Sequence, residues 1–344
     1  MYPEFAKHRG TIIMFPSRGD IWRENAYHMQ KYIIDLVNII SKFEHVYLFC
    51  EPKNYSKVSF IVNQHITVIQ AEYDDIWARD ISPTFIHSCG KTKCIDWKFN
   101  AWGGKKQAAY FPWENDNAFA TVVSSYFGYE NIKIPLVCEG GAIMSDGNGT
   151  LFTTKSVLCN SNRNPFKTKE SIELVLKKSL NVNRVIWLNQ GLVDDETNGH
   201  IDNILTIVRP GEICLSWTDD TANPNYKRVR EIFDVIQKEY NGKIYKIPLP
   251  ELQYLTDEEA QGLDSNDNSI NRTQGMVLPA SYVNIHFVNG GVIIPAFGSP
   301  WDQVVYDLYK EIFFDREIIQ VYSREPLIGG GGIHCLLRDI PMEI

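Results

Sequence analysis

Short apolar runs rich in β-branched residues recur along this chain at fairly even intervals, and the stretches between them place hydrophobics at helical spacing. Such an alternation confines the fold to the α/β class. TIIMFP at 11–16 is the first such run and ends at proline, as a buried strand does. Residues 22–42, with Ile33, Val37 and Ile40, predict a helix, and HVYLFC at 45–50 resumes strand character. Further on, the pattern predicts a helix over 115–127, a short edge strand over 134–137 despite Pro135, and a hairpin turn at SDGNG, 145–149. Thr168 is placed to cap a helix carrying Ile172, Val175, Leu176 and Leu180, although Ser171 precludes a full capping box. Strands follow at 185–192, in EICLSWT and at 243–249, with a helix over 226–240. Two strands flank Asn289-Gly290-Gly291, then come a helix over 302–314 and a strand over 318–323. The most polar stretch, 257–275, reads as a loop excursion. No identical repeat is present, and one repetitive α/β domain spanning 1–344 accounts for the pattern better than two domains and a linker.

Three separated stretches carry residues suited to chemistry. In PLIGGGGIHCLLRDIP, 326–341, four glycines free the backbone for close approach and deliver Cys335 at their exit. A lone cysteine is more often a small core residue than a nucleophile, so Cys335 needs partners. NGHIDNILTIVRPG, 198–211, supplies His200 and Asp202 two residues apart. On a strand they share a face, which leaves three readings: a catalytic pair, half of a metal site, or a structural hydrogen-bonded pair. In AEYDDIWARDISPTFI, Pro83 disfavours helix through Ser82, which puts Asp80 on a turn or strand end. Asp80 then either caps that turn beside an Arg79 ion pair or, with Trp77, forms an acidic pocket with an aromatic wall suited to a planar cation. WKFNAWGG at 97–104 adds a lid or ordinary loop packing, and Glu139 precedes a glycine pair.

The balance of 34 Lys+Arg against 42 Asp+Glu gives a formal net charge of -8, and the chain offers no basic patch for nucleic acid. Seven cysteines, an odd number without a CxxC pair, argue for free thiols in a reducing compartment rather than a disulfide framework or structural zinc. MYPEFAKHRG has no secretory pattern and no apolar run is long enough for a bilayer, so the expectation is a cytoplasmic protein without a membrane partner.

Taken together, PEFAKHRGTIIMFPSRGDIW, IWARDISPTF, CEGGAI, LCNSNRNP, DETNGHIDNILTIVRPGEI, ASYVN and the glycine-rich approach to IHC resemble the agmatine deiminase family of guanidine-modifying enzymes. The resemblance covers nearly the whole chain. It implies a single-domain five-bladed α/β propeller of pseudo-repeated ββαβ units with the site on its axis. By motif match, it implies Cys335 as nucleophile, His200 as acid/base, and Asp80 and Asp202 as the carboxylates that hold a guanidinium. Glu139 and Glu196 match further pocket positions, Glu196 near the substrate's distal amine, and Trp77 a pocket wall. The implied reaction is hydrolysis of agmatine to N-carbamoylputrescine and ammonia through a cysteine thiouronium, with no cofactor and no metal. Arginine or peptidylarginine deimination, and silent binding of a guanidino compound, are the alternatives; a homodimer is the family expectation. This chain departs from the family at Gly332, where asparagine is usual, and at Leu337-Arg338-Asp339, where Thr-Gln-Gln is usual.

Overall fold

The computed structural model describes residues 1–343, and its β-structure is divided among six small sheets. Four are three-stranded and follow one another along the chain: Thr84–Ser88 with Lys91–Lys98 and Glu130–Val137; Ile143–Ser145 with Thr150–Thr154 and Arg184–Leu188; Leu205–Arg209 with Glu212–Trp217 and Lys243–Pro248; His286–Val288 with Gly291–Ala296 and Glu317–Tyr322. In each, the first pair is antiparallel and the third strand runs parallel to the second. Parallel pairing needs a crossover, and the helices Glu114–Phe127, Lys169–Leu180, Tyr226–Glu239 and Trp301–Ile312 supply it.

The remaining large sheet joins the two ends of the chain. Arg338–Pro341 lies antiparallel to His8–Met14, which is followed in parallel by His45–Cys50 and Ile66–Gln70. Helix Tyr27–Ile40 makes the first crossover and buries Ile33, Leu36, Val37 and Ile40. The sixth sheet pairs only Gln253–Tyr254 with Val277–Leu278.

The α/β class is as expected, but the expected five-bladed propeller is corrected. The sheets are hydrogen-bonded separately and none closes into a barrel or propeller; the apolar core is likewise split into several clusters packed between neighbouring sheets and helices. Two local expectations also change. The first helix begins at Tyr27, not near Trp22, because Glu24, Asn25 and Ala26 all take positive φ. Trp22 is instead buried, its Nε1 donating to Asp75 Oδ1 at 2.8 Å. The excursion at 257–275 contains a short helix, Asp257–Gln261, fixed by a Thr256/Glu259 capping box that TDEE already spelled. Thr168 caps its helix as expected, accepting from the Ser171 amide.

One local device recurs through the fold. A short turn precedes the first strand of each of the five larger sheets: Ala78–Ile81, Gly140–Ala142, Ile201–Asn203, the segment before His286, and Ile333–Leu336. Asp80, Glu139, Asp202, Asn284 and Cys335 sit on or beside these turns. The last turn is anchored by the C-terminal strand, in which Ile340 is fully buried opposite Gly10. Truncating it leaves a cavity, so Ile340→Ala is expected to cost about 2–5 kcal/mol. A urea titration should show a lower midpoint with an unchanged slope; an unchanged midpoint would mean that the strand contributes nothing to stability.

Candidate active site

Cys335 lies in the turn Ile333–Leu336 with a thiol that is 7% exposed. The Gly332 amide and Asn284 Nδ2 each donate to Sγ at 3.5 Å, and the thiol faces Asp202 Oδ2 at 3.6 Å. Asn284 also accepts from the His334 amide at 2.9 Å, so one side chain fixes both the thiol and the backbone that carries it. Gly332 fits this arrangement because a Cβ there would fall 2.2 Å from Asn284 Oδ1. Burial and the charges of Asp202 and Asp80 push the thiol well above its usual range, which the two hydrogen bonds only partly oppose.

Asp80 is held from two directions, by the Gly141 amide at 2.8 Å and by Trp102 Nε1 at 2.9 Å. Its short helix stops at Ile81 and Ser82 turns extended before Pro83, as the sequence required. His200 and Asp202 do not lie on a strand. His200 precedes the turn Ile201–Asn203, and the strand begins only at Leu205. Side chains compete successfully with the ladder here: Asp195 Oδ1 accepts from the Thr197 amide, Asn203 Nδ2 donates to Asp195 Oδ2, and Thr197 Oγ1 accepts from the His200 amide. Both residues nevertheless reach the site. A Cβ on Gly141 would lie 2.6 Å from His200 Nδ1, 2.8 Å from Asp202 Oδ2 and 2.9 Å from Asp80 Oδ1. The glycine is what lets three polar side chains converge there.

His200 stands between two carboxylates, with Nδ1 3.8 Å from Asp80 Oδ2 and Nε2 3.6 Å from Glu139 Oε2. These separations exceed hydrogen-bonding distance, and His200 Nε2 and Glu139 Oε2 are both buried without a hydrogen-bond partner. Burial opposes the imidazolium, but Asp80, Glu139 and Asp202 outweigh it and raise the ring to about 9. Glu139 is fully buried, and although burial alone would raise it, the Arg163 guanidinium at 2.6 Å and His200 bring it down to about 2. Asp80 is raised, by burial first and then by its neighbours Asp202 and Glu139. Asp202 is lowered, because His334, His200 and Arg79 overcome its burial.

Above these groups opens a pocket whose lining includes Trp77, Asp80, Trp102, Glu196, Arg272 and Cys335. Trp77 packs between Trp22 and Trp102, with centroid separations of 5.4 and 6.2 Å. Glu196 is gripped by Arg272 through two parallel contacts of 2.5 and 2.7 Å, and Arg272 Nη2 also donates to the Gly329 carbonyl. Of the residues singled out in the sequence, Trp77, Asp80, Glu196 and Cys335 line this pocket. His200, Asp202 and Glu139 are buried and do not line it. Asn284, Arg163 and Arg272 escaped the sequence reading, since each sits in a loop and meets its partner by tertiary contact alone.

Among the described residues, His8, Glu44 and His286 form the one group of three whose ligand atoms fall within 4.8 Å of one another. Those atoms are already engaged: Thr11 Oγ1 donates to Glu44 Oε1 and lies 3.0 Å from His286 Nε2, and His8 Nδ1 is 3.2 Å from Glu44 Oε1. His8 Nε2 meets the Glu4 carbonyl at 2.7 Å. The group is a closed hydrogen-bonded cluster. His200 and Asp202 are not part of that cluster.

Known proteins resemble this chain in sequence and in fold. The sequence profile of the Porphyromonas-type peptidyl-arginine deiminase family matches residues 1–341. The agmatine deiminase of Stutzerimonas stutzeri is 39% identical over 99% of this chain and 95% of its own length. That of Ectopseudomonas mendocina is 37% identical over the same shares. The solved agmatine deiminase of Enterococcus faecalis superposes with a TM-score of 0.95 at 30% identity, covering 100% of this chain and 96% of that one.

Because the two flanking carboxylates hold the His200 proton, Glu139→Gln should lower the pH at which the ring titrates from about 9. Histidine-selective ¹⁵N NMR reads this directly. A His200 that titrates at its ordinary value in the parent would contradict the charge arrangement.

Proposed function

The chain belongs to the Porphyromonas-type peptidyl-arginine deiminase family, and we propose that Cys335, His200, Asp80 and Asp202 perform on it the hydrolysis of agmatine to N-carbamoylputrescine and ammonia. The enzyme class follows from the homology: this is an agmatine-deiminase-type guanidino hydrolase. The observation that carries the assignment of residues is the convergence of a thiol, two carboxylates and an imidazole around Gly141 and the pocket floor.

A guanidinium is planar, stays charged at neutral pH and presents its N–H donors in the plane of a carboxylate. Asp80 and Asp202 orient it and offset its charge. Its arrival supplies the positive charge that the buried thiol lacks, so Cys335 ionises in the complex rather than in the resting protein. The thiolate adds to the central carbon and forms a tetrahedral adduct. Protonated His200 gives its proton to one terminal nitrogen, and the carbon–nitrogen bond breaks to release ammonia. A thiouronium remains on Cys335. Neutral His200 then takes one proton from water, whose oxygen adds to the same carbon; the carbon–sulfur bond breaks and the remaining hydroxyl proton passes to the departing sulfur, leaving the ureido product and a free Cys335 thiol. A ring with a pKa of about 9 starts the cycle as the acid this sequence needs. In this scheme Glu139, paired to Arg163, sustains the His200 proton without touching substrate.

Trp77 and Trp102 form the apolar walls for the four-carbon arm, and Glu196 receives the distal amine. That end of the pocket is not a simple anionic patch, since Arg272 already occupies Glu196. The amine therefore shares or displaces one lobe of this ion pair. Residues from Asp80 to Cys335 contribute to this site, and the proposed reaction takes 1–344 as one catalytic domain.

Agmatine should exceed free arginine and peptidylarginine in kcat/KM, with one ammonia released per ureido product. Glu196→Gln should lower kcat/KM for agmatine by about tenfold or more, equivalent to about 1.4 kcal/mol. Product analysis with all three substrates at matched ionic strength checks both. Faster turnover of arginine or peptidylarginine would overturn the substrate assignment.

A further inference from the structure

His334, beside the reacting thiol, has no part in the chemistry above. We propose that it is a positioning residue: a buried imidazolium, clamped between Glu4 and Asp202, that fixes Asp202 for the substrate and offsets the charge against which the Cys335 thiolate forms. The identity of the substrate rests on the reading given above; the state of the ring does not.

The hydrogen-bond geometry carries the inference. Nδ1 lies 2.8 Å from Asp202 Oδ2 and Nε2 lies 2.8 Å from Glu4 Oε2. An ionised carboxylate can only accept, and a neutral imidazole has a single N–H, so a neutral ring would press a lone pair against one of the two anions. A ring carrying both protons satisfies both partners. It cannot swing away, because it is 2% exposed and its own amide is tied to Asn284 Oδ1.

The charged surroundings are extensive. From the N-terminal segment and first strand come Glu4 and His8, from the turn at 78–81 comes Arg79, and from the turn at 201–203 comes Asp202. Arg338 and Asp339 lie on the last strand, His286 on the strand beginning there, and Cys335 on the same short helix as His334. Arg79 Nη1 bridges Glu4 at 2.9 Å and Asp339 at 2.8 Å. Burial and Arg79 disfavour the cation, yet Glu4 and Asp202 outweigh them and the ring stays above its ordinary range.

The consequence falls on Asp202. Its Oδ2 is held by His334 and faces the thiol, while its buried Oδ1 has no hydrogen-bond partner in the protein and is left as a free acceptor. Without the imidazolium, Oδ2 would be an uncompensated charge beside Sγ, and the thiol would be still harder to ionise. Glu4 thereby makes the N-terminal segment part of the support of the nucleophile, 331 positions away in the sequence (335 − 4).

The test uses the full chain, its His334→Gln and Glu4→Gln variants, and two substrate-free readouts. Histidine-selective ¹⁵N NMR of the parent at neutral pH should show both His334 nitrogens protonated, and Glu4→Gln should lower the pH at which the second proton is lost. Alkylation of Cys335 by iodoacetamide, followed by mass spectrometry of its peptide, should shift to higher pH in His334→Gln by about one unit, or roughly tenfold less thiolate at a fixed pH. With agmatine, kcat should fall together with kcat/KM. A neutral His334 in the parent, or an alkylation profile superimposable on the parent's in a folded His334→Gln, would overturn the proposal. Should His334→Gln fail to fold, the NMR of the parent and of Glu4→Gln decides. If agmatine is not the substrate but the ring and alkylation results hold, only the substrate reading falls.

Discussion

Burying ionised groups away from water is unfavourable unless each is paired, and this constraint organises the centre of the molecule. Asp80, Glu139, Asp202, Glu4 and Asp339 are all buried around a nearly buried thiol. Each lies within reach of a cation or a fixed dipole: Arg163 for Glu139, His334 for Asp202 and Glu4, Arg79 for Glu4 and Asp339, Trp102 and the Gly141 amide for Asp80. The pairing is incomplete at a few points. Glu139 Oε2, His200 Nε2 and Asp202 Oδ1 of the candidate site lack hydrogen bonds, as do Arg79 Nη2 and Arg338 Nε in the network beside it. Of these atoms Asp202 Oδ1 is the acceptor that a planar cation with several donors would meet in the reaction proposed above.

At Leu337-Arg338-Asp339 the same constraint is met only in part. Asp339 accepts from Arg79, which places it in the network that also holds Glu4 and His334. Arg338 is buried with its guanidinium over the Phe85 ring, and burial lowers its pKa. Its Nε is buried without a hydrogen-bond partner. The last strand is therefore coupled electrostatically, as well as by its hydrogen bonds to His8–Met14, to the turn that carries Cys335.

Much of this was legible in the sequence where one residue type has one physical consequence. Pro83 ended the turn beside Asp80, the SDGNG run made its hairpin, and Thr168 capped its helix. What was not legible depends on competition or on distance. The shared face of His200 and Asp202 depended on that run being a strand, but hydrogen bonds from the Asp195, Thr197 and Asn203 side chains hold the segment in a turn. Arg272 is separated from Glu196 by 76 positions and Asn284 from Cys335 by 51, so no local spacing announces either contact. The arrangement of sheets was taken from resemblance, and it is there that the closed propeller had to give way to separately bonded sheets.

The reaction proposed above requires that Cys335 become covalently bonded to the guanidino carbon during turnover. Mixing the protein with agmatine, quenching with acid on the time scale of one turnover and digesting it places the adduct on a peptide. The account predicts a mass increase equal to the amidino carbon with its arm after loss of ammonia, confined to the peptide containing Cys335, appearing and decaying with product formation. Product formation with an unmodified Cys335 peptide at every quench time, or an adduct on one of the other six cysteines (7 − 1), would contradict it.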